Sequence, residues 1–359
     1  MKHFFILGRN PELSREELLS YLEARKRYHK IILFEENILI LETAENEKFN
    51  IQDLGGILKI GEITFEGNET KLKEYLKNKD LIDSDKFSYS VFGNMEPILI
   101  KEKFKSEKRK AILKTGKRII KFQNEKTSSL PKTNYSLFLQ ENNNTIYYGL
   151  ATEEYDYTEV KKRDMKKPIR REHLAISPRL SLILINLSGA KRGDHLLDPF
   201  CGIGAILTES ILKNIKSYGI DLNKKAIEGA KQNLKWIEEE YEIKTKYTLE
   251  NKDARKTPDL QFGAIATETP LGKVLRKKPS DIESKNIIQN FEAFIIPILS
   301  HLKKCKKDYA KIAITFPKIR KFRVNSKKIA AKTNLKIIMN PIEESRPDQF
   351  ISRDIVVFR

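Results

Sequence analysis

Apolar and polar positions alternate along the first part of the chain with the periods of short strands and amphipathic helices. The order strand, helix, strand, strand, short helix, strand predicts a ferredoxin-like N-terminal domain over residues 1–65. Within its helix, Ser14 and Glu17 have the spacing of a capping box. From residue 66 to 155 the pattern continues with more charge, and a strongly basic stretch, 101–126, is predicted to be helical. A basic, helix-poor linker over 156–172 is expected to follow.

The remaining residues, 173–359, alternate regularly between apolar runs and helical patterns, which predicts a mostly parallel, doubly wound sheet that ends in an antiparallel pair. The segment 195–210 is its most informative part. An apolar run ends at Asp198, a turn containing Gly202 and Gly204 follows, and a helical pattern then begins. Glycines allow close backbone approach to a ligand, and a helix N terminus offers unpaired N–H groups. The segment therefore predicts a nucleotide-binding turn.

Acidic residues follow two neighbouring predicted strands. Asp221 closes the strand after the glycine turn, nineteen positions beyond Gly202, at an offset that lets a carboxylate reach a ribose hydroxyl pair. The residue could also serve as the N-cap of the next helix, and both roles can coexist.

Charge adds a possible partner to this picture. The chain has 359 residues and a formal net charge of +19, with 68 Lys and Arg against 49 Asp and Glu. Such an excess attracts polyanions by counterion release; the alternative interpretation is that lysine is simply the default surface residue of a lysine-rich proteome. Basic candidates for RNA contacts lie in the stretch 101–126 and in the linker: Lys108, Arg109, Lys110, Lys117, Arg118, Arg163 and Arg170.

The cysteine content and the lengths of the apolar runs limit the classes of protein to which this chain can belong. The two cysteines form no CxxC or Cys/His cluster, so no metal site is expected. No apolar run has the length of a signal peptide core or a membrane span, and a soluble, cytoplasmic protein without membrane association is expected.

The extended string Asp-Pro-Phe-Cys-Gly-Ile-Gly at 198–204, with its flanking segments 162–190 and 220–236, resembles the archaeal-type tRNA guanosine-10 N2-methyltransferases. The resemblance implies a Rossmann-like methyltransferase domain over 173–359, with S-adenosylmethionine as cofactor and tRNA as partner. It also implies a THUMP-type RNA-binding domain over 66–155, and leaves open whether a small activator subunit is needed. The residues that would bind the cofactor are Asp198, Phe200, Gly202, Gly204, Asp221 and Asp253.

The segment 265–273 occupies the place where relatives carry (Asp/Asn)-Pro-Pro-(Tyr/Phe). There an acceptor side chain holds the hydrogens of an exocyclic amine and an aromatic ring stacks on the flipped base. This chain has Glu268, Thr269, Pro270 and Leu271, so an acceptor remains but the ring is lost. Three interpretations follow: guanine-N2 methylation with altered geometry, an amino-methyltransferase acting on rRNA or DNA, or an RNA-binding protein without catalysis.

Overall fold

The computed structural model describes residues 1–115, 132–170, 176–270, 278–345 and 350–359. Of the predicted site residues, Lys117, Arg118 and Leu271 lie outside these ranges. The chain divides into two compact units, the first comprising Met1–Pro11, Arg27–Gln52 and Ile57–Tyr155, the second Glu12–Lys26, Asp53–Gly56 and Asp156–Arg359. The predicted boundaries at residues 65, 155 and 172 stay predictions.

Up to Tyr155 the described elements are β1 (Lys2–Leu7), α1 (Pro11–Ala24), β2 (His29–Glu35), β3 (Ile38–Thr43), β4 (Ile57–Gly67), α2 (Glu69–Asn78), β5 (Lys86–Phe92), α3 (Ile98–Ser106), β6 (Lys110–Leu113), β7 (Tyr135–Asn142) and β8 (Thr145–Glu154). Beyond it they are α4 (Tyr157–Met165), α5 (Pro178–Leu187), β9 (His195–Asp198), α6 (Ala205–Leu212), β10 (Lys216–Asp221), α7 (Lys224–Glu240), β11 (Tyr247–Asn251), β12 (Ala264–Glu268), α8 (Asp281–Cys305), β13 (Ile312–Ile319), β14 (Phe322–Arg323), α9 (Ser326–Thr333), β15 (Ile337–Glu344) and β16 (Ile351–Phe358).

The first unit is built on an eight-stranded sheet with the order β2-β3-β1-β4-β8-β7-β5-β6. Strand β5 pairs in parallel with β6 and β7, and the other pairs are antiparallel. Its core is apolar and aromatic: the rings of Phe4 and Phe138 stack with centroids 4.3 Å apart. Large buried side chains of this kind supply most of the favourable free energy of such a core.

The continuous helix predicted for 101–126 is wrong over its described part. Helix α3 ends at Ser106, Lys108 takes a left-handed conformation with φ 57°, and Lys110–Leu113 forms strand β6 beside β5. The cause lies in the burial pattern: residues 110–113 alternate between exposed and half-buried positions, as a sheet-edge strand does. High lysine content misled the helix prediction because lysine fits solvent-facing positions of either element.

The second unit contains a sheet with the order β11-β10-β9-β12-β13-β16-β15, with β14 paired to β13. Strands β9 to β13 run parallel, and β16 is antiparallel to both β13 and β15. The strand order reverses between β9 and β12, which is the topological switch point where open α/β sheets bind ligands. The doubly wound, mostly parallel domain predicted from the sequence is confirmed.

Residues 156–165 are not the helix-poor segment that the sequence suggested. Asp156 caps helix α4, because its carboxylate accepts a hydrogen bond from the Thr158 amide at 2.8 Å, and Val160 is buried. The helix belongs to the second unit. The high charge of this segment obscured the helix, because Val160 is its one buried residue.

Helix α1 also belongs to the second unit, and the predicted capping box is wrong. Ser14 lies inside the helix, and the buried Glu17 carboxylate accepts hydrogen bonds from the amides of Gly55 and Gly56, both at 2.6 Å. The side-chain amide of Asn186 donates to the same carboxylate at 2.8 Å. Burial raises the pKa of Glu17 to about 7 despite these bonds. The glutamate thus satisfies a distant Gly-Gly backbone, which sequence spacing alone could not reveal.

Candidate active site

Three acidic side chains end parallel strands of the second unit. Asp198 is the last residue of β9, Asp221 of β10 and Glu268 of β12. Because β10, β9 and β12 are consecutive neighbours in the sheet, their carboxyl ends share one edge, and the switch point lies between Asp198 and Glu268. A concentration of negative charge at this position suits a cationic ligand.

The glycine turn connects β9 to α6. Gly202 and Gly204 have φ of 54° and 86°, which glycine adopts without the steric cost that a side chain imposes. A Cβ at Gly202 would meet nothing within 4 Å, so the turn borders open space there. A Cβ at Gly204 would lie 3.3 Å from that of Ala230 on α7. The first glycine therefore leaves room for a ligand, and the second allows close helix packing.

Asp198 is buried and hydrogen-bonded. Its Oδ1 accepts from the Thr267 hydroxyl at 2.5 Å and from the Phe200 amide at 3.2 Å. Burial raises the pKa of Asp198 to about 7, and the negative charges of Asp221 and Glu268 add to this effect while the hydrogen bonds oppose it. A cation at this edge would stabilise the ionised form.

Asp221 supports the glycine turn directly. Its Oδ2 accepts from the Gly202 amide at 2.9 Å, and its Oδ1 accepts from the Asn223 amide at 2.8 Å. Asn223 rather than Asp221 is the N-cap of α7. Each oxygen of an ionised carboxylate can accept a second hydrogen bond, so Asp221 keeps acceptor capacity for a pair of hydroxyls.

Two other predicted cofactor residues have defined surroundings. The half-buried Phe200 ring lies 5.9 Å from that of Phe294, between centroids. Asp253 caps the short 3₁₀ helix Ala254–Lys256 and forms a two-point ion pair with Arg255, at 2.9 and 2.6 Å. These hydrogen bonds lower the pKa of Asp253 to about 2. The carboxylate is thus already occupied by a neighbouring cation.

The segment that replaces (Asp/Asn)-Pro-Pro-(Tyr/Phe) is anchored at two residues. Glu268 Oε1 accepts a hydrogen bond from Nε of the buried Arg353, on β16. The Thr269 amide donates to Thr315 Oγ1 at 3.2 Å, and the Thr269 hydroxyl donates to the Thr315 carbonyl at 2.6 Å. A proline at 269 could not make the first bond because it lacks an N–H. Pro270 is exposed, and Leu271 lies outside the described residues.

The basic residues singled out for RNA contact fall into two groups. Arg109 pairs with Asp80 at 2.7 Å and donates to the Ser84 carbonyl, and Arg163 forms a two-point ion pair with the buried Glu209. Both guanidinium groups are therefore committed to protein contacts. Three others are exposed: Lys108, Lys110 and Arg170.

Sequence reasoning missed the partners of these site residues. Neither Arg353 nor the two threonines Thr267 and Thr315 were singled out from the sequence. Asn233 was missed too: its side chain bonds both backbone groups of Ile169 and the Ile203 carbonyl of the glycine turn. The available signal was an arginine in the final strand, ISRDIVVF, directly before an apolar run, since a buried charge requires a partner.

Among the described residues, no helix is both long and apolar enough to cross a bilayer. The same part of the chain contains no group of three or more His, Cys, Asp or Glu side chains placed to hold a metal ion.

The glycine turn and the three strand-end acids lie within a segment that matches a methyltransferase family model. Residues 168–285 match the family model described as UPF0020, RMKL-like, methyltransferase domain. The chain is 39% identical over 99 residues to a tRNA (guanine(10)-N2)-dimethyltransferase of Methanothermobacter thermautotrophicus, covering 27% of this chain and 28% of the relative. It is 37% identical over 123 residues to the protein of the same name from Pyrococcus abyssi, covering 33% and 34%. The chain thus matches about a third of the length of these relatives.

The solved structure of TrmN from Thermus thermophilus is similar over 100% of this chain and 99% of its own, with a TM-score of 0.58 at 11% identity. At that identity the likeness shows the fold alone. Together these findings confirm the resemblance and the Rossmann-like fold that the sequence predicted for the second unit, while the ferredoxin-like and THUMP domains stay predictions.

Proposed function

We propose that this protein is an S-adenosylmethionine-dependent methyltransferase that modifies the exocyclic N2 of a guanine in tRNA. The observation that carries the proposal is the placement of Asp198, Asp221 and Glu268 at adjacent strand ends around the switch point of a methyltransferase domain. The names of the relatives supply the substrate class.

The residues present fit the cofactor by charge and by space. Bound S-adenosylmethionine would supply a methyl group activated by a positively charged sulfonium. Asp198 would favour the cationic end of the ligand, because an ionised carboxylate is costly at this buried position until a cation lies beside it. Asp221 would accept from the two ribose hydroxyls, and Gly202 would admit the ligand against bare backbone.

Glu268 would act on the base. The lone pair of a purine amine is delocalised into the ring, so the amine is a poor nucleophile and depends on orientation. An oxygen of Glu268 that accepts an N2 hydrogen would direct the nitrogen toward the methyl carbon. N2 would lose one proton on gaining the methyl group, and that proton would pass to the solvent that the Glu268 side chain borders. Catalysis then rests on positioning rather than on a strong base.

The net charge of +19 and the exposed Lys108 and Lys110 support a polyanionic substrate. This assignment agrees with a cytoplasmic location, where the enzyme and its tRNA substrate would be in the same compartment. The methyl-transfer assay below also tests whether a small activator subunit is required.

A second candidate is an RNA-binding protein without catalysis. One observation favours it: an oxygen of the only acceptor carboxylate in the 265–270 segment is already bonded to Arg353. The two functions predict opposite results in a transfer assay.

The test is transfer of labelled methyl from S-adenosylmethionine to unmodified tRNA of the source organism, followed by nucleoside mapping. We expect N2-methylated guanosine with the wild type, partial activity for Glu268→Gln, whose amide oxygen still accepts, and near-complete loss for Glu268→Ala with ligand binding retained. Methyl on another base would refute the guanine assignment. Binding of both ligands without transfer, with candidate activator proteins also supplied, would favour the non-catalytic function.

A further inference from the structure

A buried arginine lies beside the candidate catalytic glutamate. The Arg353 side chain is only 2% exposed, and it is the largest fully buried side chain among the described residues. A buried guanidinium is destabilising by several kcal/mol unless it is paired. Its Nε donates to Glu268 Oε1, so the charge of Arg353 is compensated at this edge of the sheet.

The sheet topology brings the two residues together across an intervening strand. Strand β13 lies between β12 and β16, with Thr315 in register with Glu268 and Pro317 in register with Arg353. Because β16 runs antiparallel, its beginning lies at the carboxyl ends of the parallel strands. Arg353, the third residue of β16, is therefore held at the same edge as Glu268 by main-chain pairing on both sides.

Glu268 needs such a restraint for two reasons. A glutamate has one more rotatable bond than the Asp or Asn that the resemblance expects, so its carboxylate is less well oriented on its own. It also stands near a second carboxylate, since its negative charge contributes to the raised pKa of Asp198. Repulsion between the two carboxylates would favour a Glu268 side chain that turns outward, away from Asp198.

We propose that Arg353 is a positioning residue whose buried guanidinium fixes the orientation of Glu268, so that its carboxylate accepts from an exocyclic amine of the substrate base. The inference rests on the proposed function. The proposed role explains how a glutamate can replace the shorter Asp or Asn at this position. The guanidinium restricts the additional side-chain rotation that the extra methylene of glutamate allows. The Glu268 side chain is 13% exposed, so it borders solvent while its partner does not.

The test compares Arg353→Lys, Arg353→Gln, Glu268→Gln and the double variant Arg353→Gln/Glu268→Gln in methyl transfer to tRNA. We expect Arg353→Lys to lower kcat by about tenfold or more, because misplaced groups lose much of the orientation effect. The dissociation constants for S-adenosylmethionine and tRNA should stay near wild type. The double variant should be no slower than Glu268→Gln alone, since both changes remove one interaction.

Lys328→Gln is a matched control, because Lys328 pairs at 2.5 Å with the buried Glu292 between α9 and α8 of the same unit. It should affect stability without lowering kcat. An activity-independent signal is the Arg353 Nε–H resonance, identified by its absence in Arg353→Lys, which should shift and exchange faster in Glu268→Gln.

If the wild type is active, three results would overturn the positioning role alone. These are an unchanged kcat in Arg353→Lys, effects that multiply in the double variant, and an Nε–H resonance that does not move in Glu268→Gln. An inactive wild type that binds both ligands would overturn the proposed function and the positioning role with it.

Discussion

The substitution Asp198→Asn should make the ligand-free protein more stable near neutral pH. Burial raises the pKa of Asp198 to about 7, so the folded state binds its proton more tightly than the unfolded chain does. The contribution of Asp198 to stability is then fully present below the ordinary pKa of 3.8 and is lost as the pH rises toward 7. Asparagine carries no charge, and its amide oxygen can still accept from Thr267 and Phe200.

The magnitude follows from the two pKa values. The difference between 3.8 and about 7 is about three units, or about 4 kcal/mol above neutral pH. The new amide N–H₂ lacks an assured acceptor, which costs about 1–3 kcal/mol. A net gain of about 1–3 kcal/mol in the free energy of unfolding is therefore expected at pH 8, and it should shrink by roughly 2–3 kcal/mol at pH 5.

Urea unfolding followed by fluorescence of Trp236, the single tryptophan, measures this difference in the unit that contains Asp198. Asp253→Asn is the control of opposite sign, because hydrogen bonds from Arg255 lower the pKa of Asp253 and its charge is favourable. That variant should not gain stability at pH 8. The reasoning about burial fails if Asp198→Asn gains nothing at pH 8 or gains as much at pH 5.

The same substitution should weaken S-adenosylmethionine binding by about tenfold, or about 1.4 kcal/mol, in calorimetric titration at pH 8. A variant that is more stable yet binds less well would separate the function of the charge from its structural cost. Unchanged affinity would mean that Asp198 does not face the cationic end of the cofactor.

Three further outcomes are expected. Asp221→Ala should weaken S-adenosylmethionine binding by about tenfold or more, while the affinity for tRNA stays near that of the wild type. A cofactor affinity equal to that of the wild type in calorimetry would contradict the ribose contact. Thr315→Val should destabilise the protein by about 1–3 kcal/mol, because it leaves the buried Thr269 amide without its acceptor. Thr315→Ser keeps the hydroxyl and should lose less stability, so an equal loss in urea unfolding would contradict this role of the hydroxyl. The affinity for tRNA should fall steeply as the salt concentration rises. The double variant Lys108→Glu/Lys110→Glu should flatten the slope of log affinity against log salt concentration. An unchanged slope in filter binding would mean that Lys108 and Lys110 do not contact tRNA.

The sequence predicted the parts of this protein that depend on local pattern. Strands β9 and β10, the glycine turn and the acids at both strand ends were all predicted, because apolar runs and Gly residues carry that information within about twenty positions. The doubly wound sheet followed from the alternation of elements. The roles of Asp198, Asp221 and Glu268 as binding residues stay predictions.

Contacts between distant positions could not be predicted in this way. Glu17 was assigned to its own helix, yet it satisfies Gly55 and Gly56 and meets Asn186, 169 positions away. Arg353 lies 85 positions from Glu268. A charged side chain at one position does not disclose which distant backbone or carboxylate will compensate it once both are buried.

The assignment of α1 to the second unit has a consequence for how the protein can be divided and how it is made. The chain passes between units at residues 11/12, 26/27, 52/53, 56/57 and 155/156, so no single cut separates them. Removing residues 1–155 would take Glu17 and the buried Leu13 away from the methyltransferase unit. During synthesis, α1 emerges early and must wait for Asn186 and the rest of its core to leave the ribosome. The two units are therefore not separable as genetic modules.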